Sequence, residues 1–329
     1  MRLLVTGGAG YIGSHAVRLF LEHGHDVWVY DNLSFGHAAA VPGDRLVVAD
    51  LAERERLIAV LREKKIEAVV HFAAFAYVGE SVEHPFKYYR NNVANTLILL
   101  EAMQACQVQK LVFSSTCATY GTPFEIPITE ATPQQPINPY GRTKLMIEWA
   151  LADAAHAYGL GYAALRYFNA AGAHPDGDIG EDHSPESHLI PLILQTVLGQ
   201  RQAIHVFGTD YPTPDGTCVR DYIHVVDLAE AHLRALSAIT PGKGLCLNLG
   251  TGQGHSVREV IKVCSEVTGC LVNVVEGSRR AGDPAILVAS AALAQSRLGW
   301  KPRLGSLYEI VETAWKWHRS HPHGFDDRR

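Results

Sequence analysis

The eight residues Thr6-Gly7-Gly8-Ala9-Gly10-Tyr11-Ile12-Gly13 constrain this chain more than any others. They follow an apolar run, residues 2–6, that reads as a strand, and they open a helical pattern starting near Tyr11. Gly7, Gly10 and Gly13 are spaced GxxGxxG. Glycines so placed permit a tight turn, let backbone approach a pyrophosphate, and let the helix pack on the strand. The phosphates would then sit at the positive helix N-terminus. Glycine triplets also occur in ordinary turns, so the weight comes from their place between a first strand and a first helix. Asp31 adds to it, ending the second apolar run 18 residues after Gly13. A carboxylate there bonds the adenosine ribose hydroxyls and repels a 2′-phosphate. No arginine follows it before residue 45, so the expected cofactor is NAD rather than NADP. Asp50 and Leu51, at the end of a third run, are placed to border the adenine.

The alternation continues. Residues 27–30, 46–48, 68–72, 111–114 and 162–167 are further β-rich runs, with helical patterns at 53–64, 85–105 and 139–158. Strands alternating with helices predict an α/β fold, a Rossmann-type doubly wound parallel sheet covered on both faces. In such sheets ligands bind beyond the C-terminal strand ends. From Asn169 the texture changes, and residues 173–187 read as a long loop, a kind that is usually functional. Residues 219–225 and 245–248 read as strands returning to the first sheet. The expected organisation is therefore interwoven. Residues 1–168 with about 220–250 form a dinucleotide-binding domain, and about 169–219 with 251–329 form a smaller α/β substrate-binding domain.

Bulk properties narrow the function classes. A chain of 329 residues, 47% hydrophobic and 19% charged, has ample material for a globular core. Its net charge of −5 argues against a nucleic-acid binder. The opening apolar run is too short for a secretory signal or anchor. The longest apolar stretch, residues 68–78, contains His71 and falls short of the ~20 residues a membrane span needs. Six cysteines lie scattered with no CxxC pair, as expected of reduced thiols in the cytoplasm.

Asn138-Pro139-Tyr140-Gly141-Arg142-Thr143-Lys144 reads as a helix start, with Asn as N-cap and Pro in the first turn. Tyr140 and Lys144 are then i and i+4, on one helix face. In an arbitrary sequence such a pair is usually a surface pair. Here it follows a nucleotide-binding half and a hydroxyl-rich strand end, Ser114-Ser115-Thr116. Removing hydride from a carbinol carbon requires loss of the hydroxyl proton in the same step. A tyrosine with pKa ~10 is a poor base at neutral pH. A nearby ammonium and the nicotinamide's positive charge lower it, and Thr116 can hydrogen-bond the same hydroxyl.

These segments, with HFAAFAYVGES, SSTCATYG, RYFNAAGAHPDG and DGTCVRDYIHVVDLA, resemble the extended short-chain dehydrogenase/reductase superfamily, and within it the UDP-glucose (UDP-galactose) 4-epimerases. The similarity runs from residue 1 to about residue 325. It implies transient oxidation at sugar C4, in which Tyr140 takes the 4-hydroxyl proton, a 4-keto sugar turns about its diphosphate, and NAD never leaves. NAD contacts implied by motif are Tyr11, Ile12, Asp31, Asn32, Asp50 and Leu51, then Phe72, Ala73, Asn91, Tyr140, Lys144 and Phe168. UDP-sugar contacts implied are Thr116, Asn169, His188 and Leu189, the strand His205, Val206 and Phe207, and Arg220, Arg280 and Asp283. The two arginines suit a diphosphate. The resemblance also implies a homodimer formed through a helix bundle involving residues 85–105.

Four departures from the family pattern matter. Thr116 stands where serine is common and keeps the hydroxyl; Ala76-Tyr77 replaces a Lys-Ala pair; His188 replaces an Asn. Leu287 stands where Tyr, Cys or Ser gates the sugar pocket. The sister dehydratases carry an Asp-Glu pair where this chain has Cys117 and Ala118, neither of which can drive water elimination. Two motifs, SSTCATYG and GTDYPTPDGTC, also resemble epimerases that interconvert UDP-xylose and UDP-arabinose. A plain nucleotide-sugar dehydrogenase is the remaining alternative. Of the 17 histidines, His318, His321 and His323 crowd the C-terminus, and Asp176, Asp178, Glu181 and His183 crowd one loop. Neither spacing matches an EF-hand or a zinc signature, so both are read as solvated and no metal is expected.

Overall fold

The computed structural model describes residues 1–280 and 283–325. The first strand, β1 (Arg2–Thr6), feeds through the glycine turn into α1 (Tyr11–Glu22) and then β2 (Asp26–Asp31). Next come β3 (Leu46–Val48), α2 (Arg54–Glu63), β4 (Ala68–His71) and the short helices α3 (Val78–Glu83) and α4 (Pro85–Tyr88). After them follow α5 (Asn95–Ala105), β5 (Lys110–Thr116), α6 (Pro139–Tyr158) and β6 (Gly161–Tyr167). The chain then leaves the sheet through β7 (Asn169–Ala171), α7 (Leu189–Val197), β8 (Ile204–Phe207) and β9 (Val219–His224). It returns by α8 (Val225–Ala238) and β10 (Gly244–Leu249). The remainder is β11 (Gly254–Ser256), α9 (Val257–Thr268), β12 (Val274–Gly277), β13 (Ile286–Leu287), α10 (Ala292–Leu298) and α11 (Leu307–Ser320).

Seven strands form one parallel sheet in the order β10-β6-β5-β4-β1-β2-β3. Strand residues alternate between its two faces because the side-chain period is two. Leu3 and Val5 enter a core with α1, α8 and α10, while Leu4 enters the other with α2, α5 and α6. This is the predicted α/β architecture, with helices on both faces. The strand order reverses between β1 and β4, whose C-terminal ends face a crevice where ligands of such sheets bind.

Two expectations need correction. Residues 219–225 do not return to the large sheet: β9 pairs with β7, β11 and β13 in a separate sheet. Only β10 returns, beside β6, while α8 packs on α1. Residues 85–105 are not one helix, because residues 89–94 widen into a π-helical stretch between α4 and α5. The cause is Asn92, whose amide turns inward to bond both backbone groups of Phe75, at 2.9 and 3.0 Å, and Thr143 Oγ1 at 3.1 Å. Such bulges recur at functional sites. The smaller half has its own apolar core, drawn from α7, α9 and α11.

Candidate active site

The site begins at the glycine turn. Gly7 has φ +70°, and a Cβ on it would lie 2.5 Å from the Ala73 nitrogen. One on Gly13 would lie 2.1 Å from the Gly7 carbonyl. Both are therefore required by close packing of turn, helix and β4 loop. A Cβ on Gly10 would meet only the Gly7 carbonyl, at 3.4 Å, so this glycine borders open space. That space is a cavity of about 940 Å³ lined by all three glycines. Asp31, on the same wall, accepts the Ala9 N–H at 3.0 Å and the Leu33 N–H at 2.9 Å. Burial pushes its pKa up and these N–H groups pull it down. Asn32 donates to Asp50 at 2.7 Å, joining the ends of β2 and β3. Every residue expected to contact NAD lines the cavity: Tyr11, Ile12, Asp31, Asn32, Asp50, Leu51, Phe72, Ala73, Asn91, Tyr140, Lys144 and Phe168. The turn, the carboxylate and the volume of the cavity fit a dinucleotide.

The residues expected to carry the chemistry, Tyr140, Lys144 and Thr116, line the same cavity. Asn138 caps α6 by accepting the Gly141 N–H at 2.8 Å, with Pro139 in the first turn. A Cβ on Gly141 would lie 2.4 Å from the Ala118 carbonyl. The helix start is thus pressed onto the turn after β5, which brings Tyr140 beside Thr116. Burial pushes the Tyr140 phenol up to about 12, against a hydrogen bond from Thr116 that lowers it. Lys144 is buried and its Nζ donates to the Ser114 carbonyl at 2.7 Å, 6.0 Å from the Tyr140 ring centroid. Burial lowers its pKa to about 7, with Glu148 pulling the other way. Cys117 and Ala118 also line the cavity, and burial raises the Cys117 thiol to about 12. Neither offers the acid–base pair that eliminating water needs.

Beyond them the cavity enters the smaller half. Arg220 on β9 pairs with Asp283 at 3.1 Å. The Arg280 guanidinium sits 4.1 Å over the Phe207 ring. Arg220, Arg280, Asp283, Asn169, Thr116, His188 and Leu287 all line the cavity. Leu287 packs with Cys117 against Phe168 and Ile128. Four expected contacts do not line it: Leu189, His205, Val206 and Phe207. Leu189 packs with the core of the smaller half, Val206 is buried, and alternation along β8 turns His205 and Phe207 to the outer face. Phe207 reaches the site only through Arg280.

Sequence reading missed part of the wall. Tyr77 lines the cavity where the family lysine is absent, its ring 5.5 Å from Phe35. The loop at residues 173–188 also differs from expectation. Asp176 and Asp178 are exposed and pair with Arg18, but Glu181 is 3% exposed and His183 lies in the cavity wall. They are folded in because Trp317 on α11 donates to the Glu181 carbonyl at 3.1 Å. His318 is likewise buried rather than solvated. A run without periodicity gives no signal for such burial.

Residues 3–250 match the NAD dependent epimerase/dehydratase family. A curated UDP-glucose 4-epimerase of Halalkalibacterium halodurans is 53% identical over 326 residues, 99% of this chain and 98% of the relative. The crystal structure of UDP-glucose 4-epimerase from Brucella ovis in complex with NAD is 51% identical, with TM-score 0.92, covering 95% of this chain and 97% of that one. UDP-glucose 4-epimerase from Stenotrophomonas maltophila, solved with NAD and formylated UDP-arabinopyranose, is 45% identical with TM-score 0.93, covering 98% and 99%.

Proposed function

The chain belongs to the NAD dependent epimerase/dehydratase family, and from that premise we propose that it is a UDP-glucose 4-epimerase, interconverting UDP-galactose and UDP-glucose with tightly held NAD. One observation carries the reading. Tyr140, Lys144 and Thr116 line one cavity together with the glycine turn and Asp31 and with Arg220 and Arg280. The relatives above support the sugar and cofactor assignments. Cys117 and Ala118 weigh against the dehydratase half of the family, since neither is an acid.

Bound NAD supplies a hydride acceptor for C4 and a positive charge near Tyr140. Tyr140 removes the 4-hydroxyl proton, and Thr116, within hydrogen-bond reach of the phenol, orients and shares it. Lys144, on the same face of α6, adds positive charge when its ammonium is protonated, which favours the phenolate that burial disfavours. Arg220 and Arg280 hold the diphosphate while the 4-keto sugar turns and presents its other face. Tyr140 then returns the proton.

The two halves divide the work: the seven-stranded sheet holds NAD, and the half built on β7–β9 and α7 holds UDP-sugar. The enzyme works in the cytoplasm; all six cysteines are free, and no described helix is long and apolar enough to cross a membrane. It acts as a homodimer through α5 and α6, and nucleic acid is not a partner. UDP-pentoses are a second substrate class, favoured by the UDP-arabinopyranose-type ligand of the Stenotrophomonas relative. A pocket rejects a missing hydroxymethyl weakly, by ~1–3 kcal/mol. NMR of purified protein with UDP-galactose, then UDP-arabinose, tests both. Conversion to UDP-glucose without added NAD is expected. Turnover that depends wholly on added NAD and accumulates NADH overturns the assignment.

A further inference from the structure

We propose that Glu181, His183, Glu186 and His188 form a site for a divalent transition-metal ion of the zinc class, set in the wall of the large cavity. Glu181, His183 and Glu186 take no part in the proposed reaction, and His188 is shared with the expected UDP-sugar wall. The four residues come from one loop and the start of α7, and one ligand atom from each lies within 4.8 Å of the others. His188 Nδ1 is 2.8 Å from Glu181 Oε1 and 2.9 Å from Glu186 Oε1. His183 Nδ1 is 3.2 Å from Glu181 Oε1 and 3.7 Å from Glu186 Oε2. Donors bound at about 2.0–2.1 Å to a tetrahedral ion stand about 3.3–3.4 Å apart, so the observed separations straddle that edge.

His188 Nδ1 hydrogen-bonds Glu186 Oε1, yet two further observations point to a cation as a better occupant of the cluster. Glu181 Oε1 and His183 Nδ1 are buried with no hydrogen-bond partner, despite their 3.2 Å approach. A ring nitrogen and a carboxylate oxygen this close, with no well-directed bond between them, are a pair that a shared cation would satisfy. The charges agree: two carboxylates, each with a side chain 4% exposed, have no lysine or arginine partner among the described residues. The carboxylates hold both imidazoles above their ordinary range, and a divalent ion that displaces the two ring protons keeps the same charge balance. Glu186 is pre-oriented, its Oε1 accepting the Ser187 and His188 N–H groups at 2.7 and 2.8 Å, which leaves Oε2 toward the centre. A second cavity of about 280 Å³, shared by Glu181, His183 and Glu186 with His318, His321 and His323, offers an entry path. Mixed imidazole–carboxylate donors suit zinc and its first-row neighbours. The ion would tie the loop to α7 and fix the wall that faces the substrate.

The test uses the NAD-loaded protein after dialysis against a chelator, titrated with Zn²⁺ and separately with Co²⁺. Close to one equivalent per chain is expected, with the visible absorption of tetrahedral cobalt and a rise in unfolding temperature. His188→Asn, a change at a half-exposed position, should weaken Zn²⁺ binding about a hundredfold while far-UV signal and NAD content stay put. Glu181→Gln should do likewise. His321→Ala combined with His323→Ala should leave the stoichiometry unchanged. The proposal is overturned if the wild type binds well under one equivalent at micromolar Zn²⁺. It is also overturned if binding survives His188→Asn and Glu181→Gln, or follows the C-terminal histidines; the cluster is then an ion-paired set of side chains only.

Discussion

At residue scale, Lys144 is a charge kept where burial disfavours it. Its pKa falls from 10.5 to about 7 on folding. Between these values the unfolded chain binds a proton that the folded chain has given up, so stability rises with pH across that window. Below pH 7 the full penalty is present. Lys144→Met should therefore raise the unfolding temperature at pH 7, and its advantage should shrink as pH approaches 10. The same change should lower kcat by about 10²–10⁴. A variant that melts below wild type at pH 7 would mean that the bond to the Ser114 carbonyl outweighs desolvation. Leu287 makes a second prediction. It lines the cavity beside Cys117 and Phe168, and an N-acetyl group at the sugar 2-position needs room there. Overpacking costs ~1–3 kcal/mol, so UDP-N-acetylglucosamine should be a poor substrate. Leu287→Ser should raise its kcat/KM about tenfold with UDP-glucose little changed, and Leu287→Tyr should lower it. Equal effects on both sugars would place the 2-position elsewhere.

At the scale of elements, α6 is fixed to the sheet by a buried ion pair. Arg166 on β6 contacts Glu148 at 2.9 and 2.5 Å, and Glu148 also accepts Ser115 Oγ at 2.5 Å. Both side chains of the pair are about 95% buried, at 6% and 5% exposure. Breaking one partner of such a pair costs about 3–5 kcal/mol, whereas replacing both is often neutral. Arg166→Met should therefore cost about that much in chemical denaturation, and adding Glu148→Leu should restore most of it. No recovery in the double variant would mean that the bond from Ser115 to Glu148 and the bond from Arg166 to the Tyr120 hydroxyl, at 2.8 Å, carry the load instead of the charge pair. This network was not legible beforehand, because Glu148 looks like any helix-surface glutamate and Arg166 like a strand-edge arginine. What was legible is local: periods of 2 and 3.6 located β1–β6 and α6, and i, i+4 spacing joined Tyr140 to Lys144. What was not legible is long-range. β9 (VRDYIH) carries the β-favouring Val219, Tyr222 and Ile223 of a strand, and only its pairing with β7, β11 and β13 assigns it to a separate sheet. The π-helical stretch escaped for a similar reason, since it depends on Asn92 reaching Phe75.

At the scale of the whole molecule, one face of the large sheet leaves apolar side chains without cover. α5 and α6 bury their inner residues in the same core, yet Leu97 is 43% exposed, Met146 40% and Trp149 59%. Met146 and Trp149 are i and i+3, so they share a helix face. Two neighbouring helices presenting such side chains form the kind of patch that marks a protein–protein interface, and a two-fold axis beside them would build a four-helix bundle from two chains. Tyr140 and Lys144 lie at the start of α6, so a bundle on its outer face would also hold the catalytic end of the helix in place. Sedimentation equilibrium should return twice the 36.0 kDa chain mass at micromolar concentration. Trp149→Glu buries a charge in that interface and should give monomers with a lower unfolding temperature and weakened activity. Phe124→Glu, a change at a side chain 95% exposed on a loop outside these helices, should leave the mass unchanged. A wild type that sediments as a monomer, or a Trp149→Glu dimer indistinguishable from it, would assign the patch to some other contact and leave α6 to be fixed by its contacts within the chain, the Arg166–Glu148 pair among them.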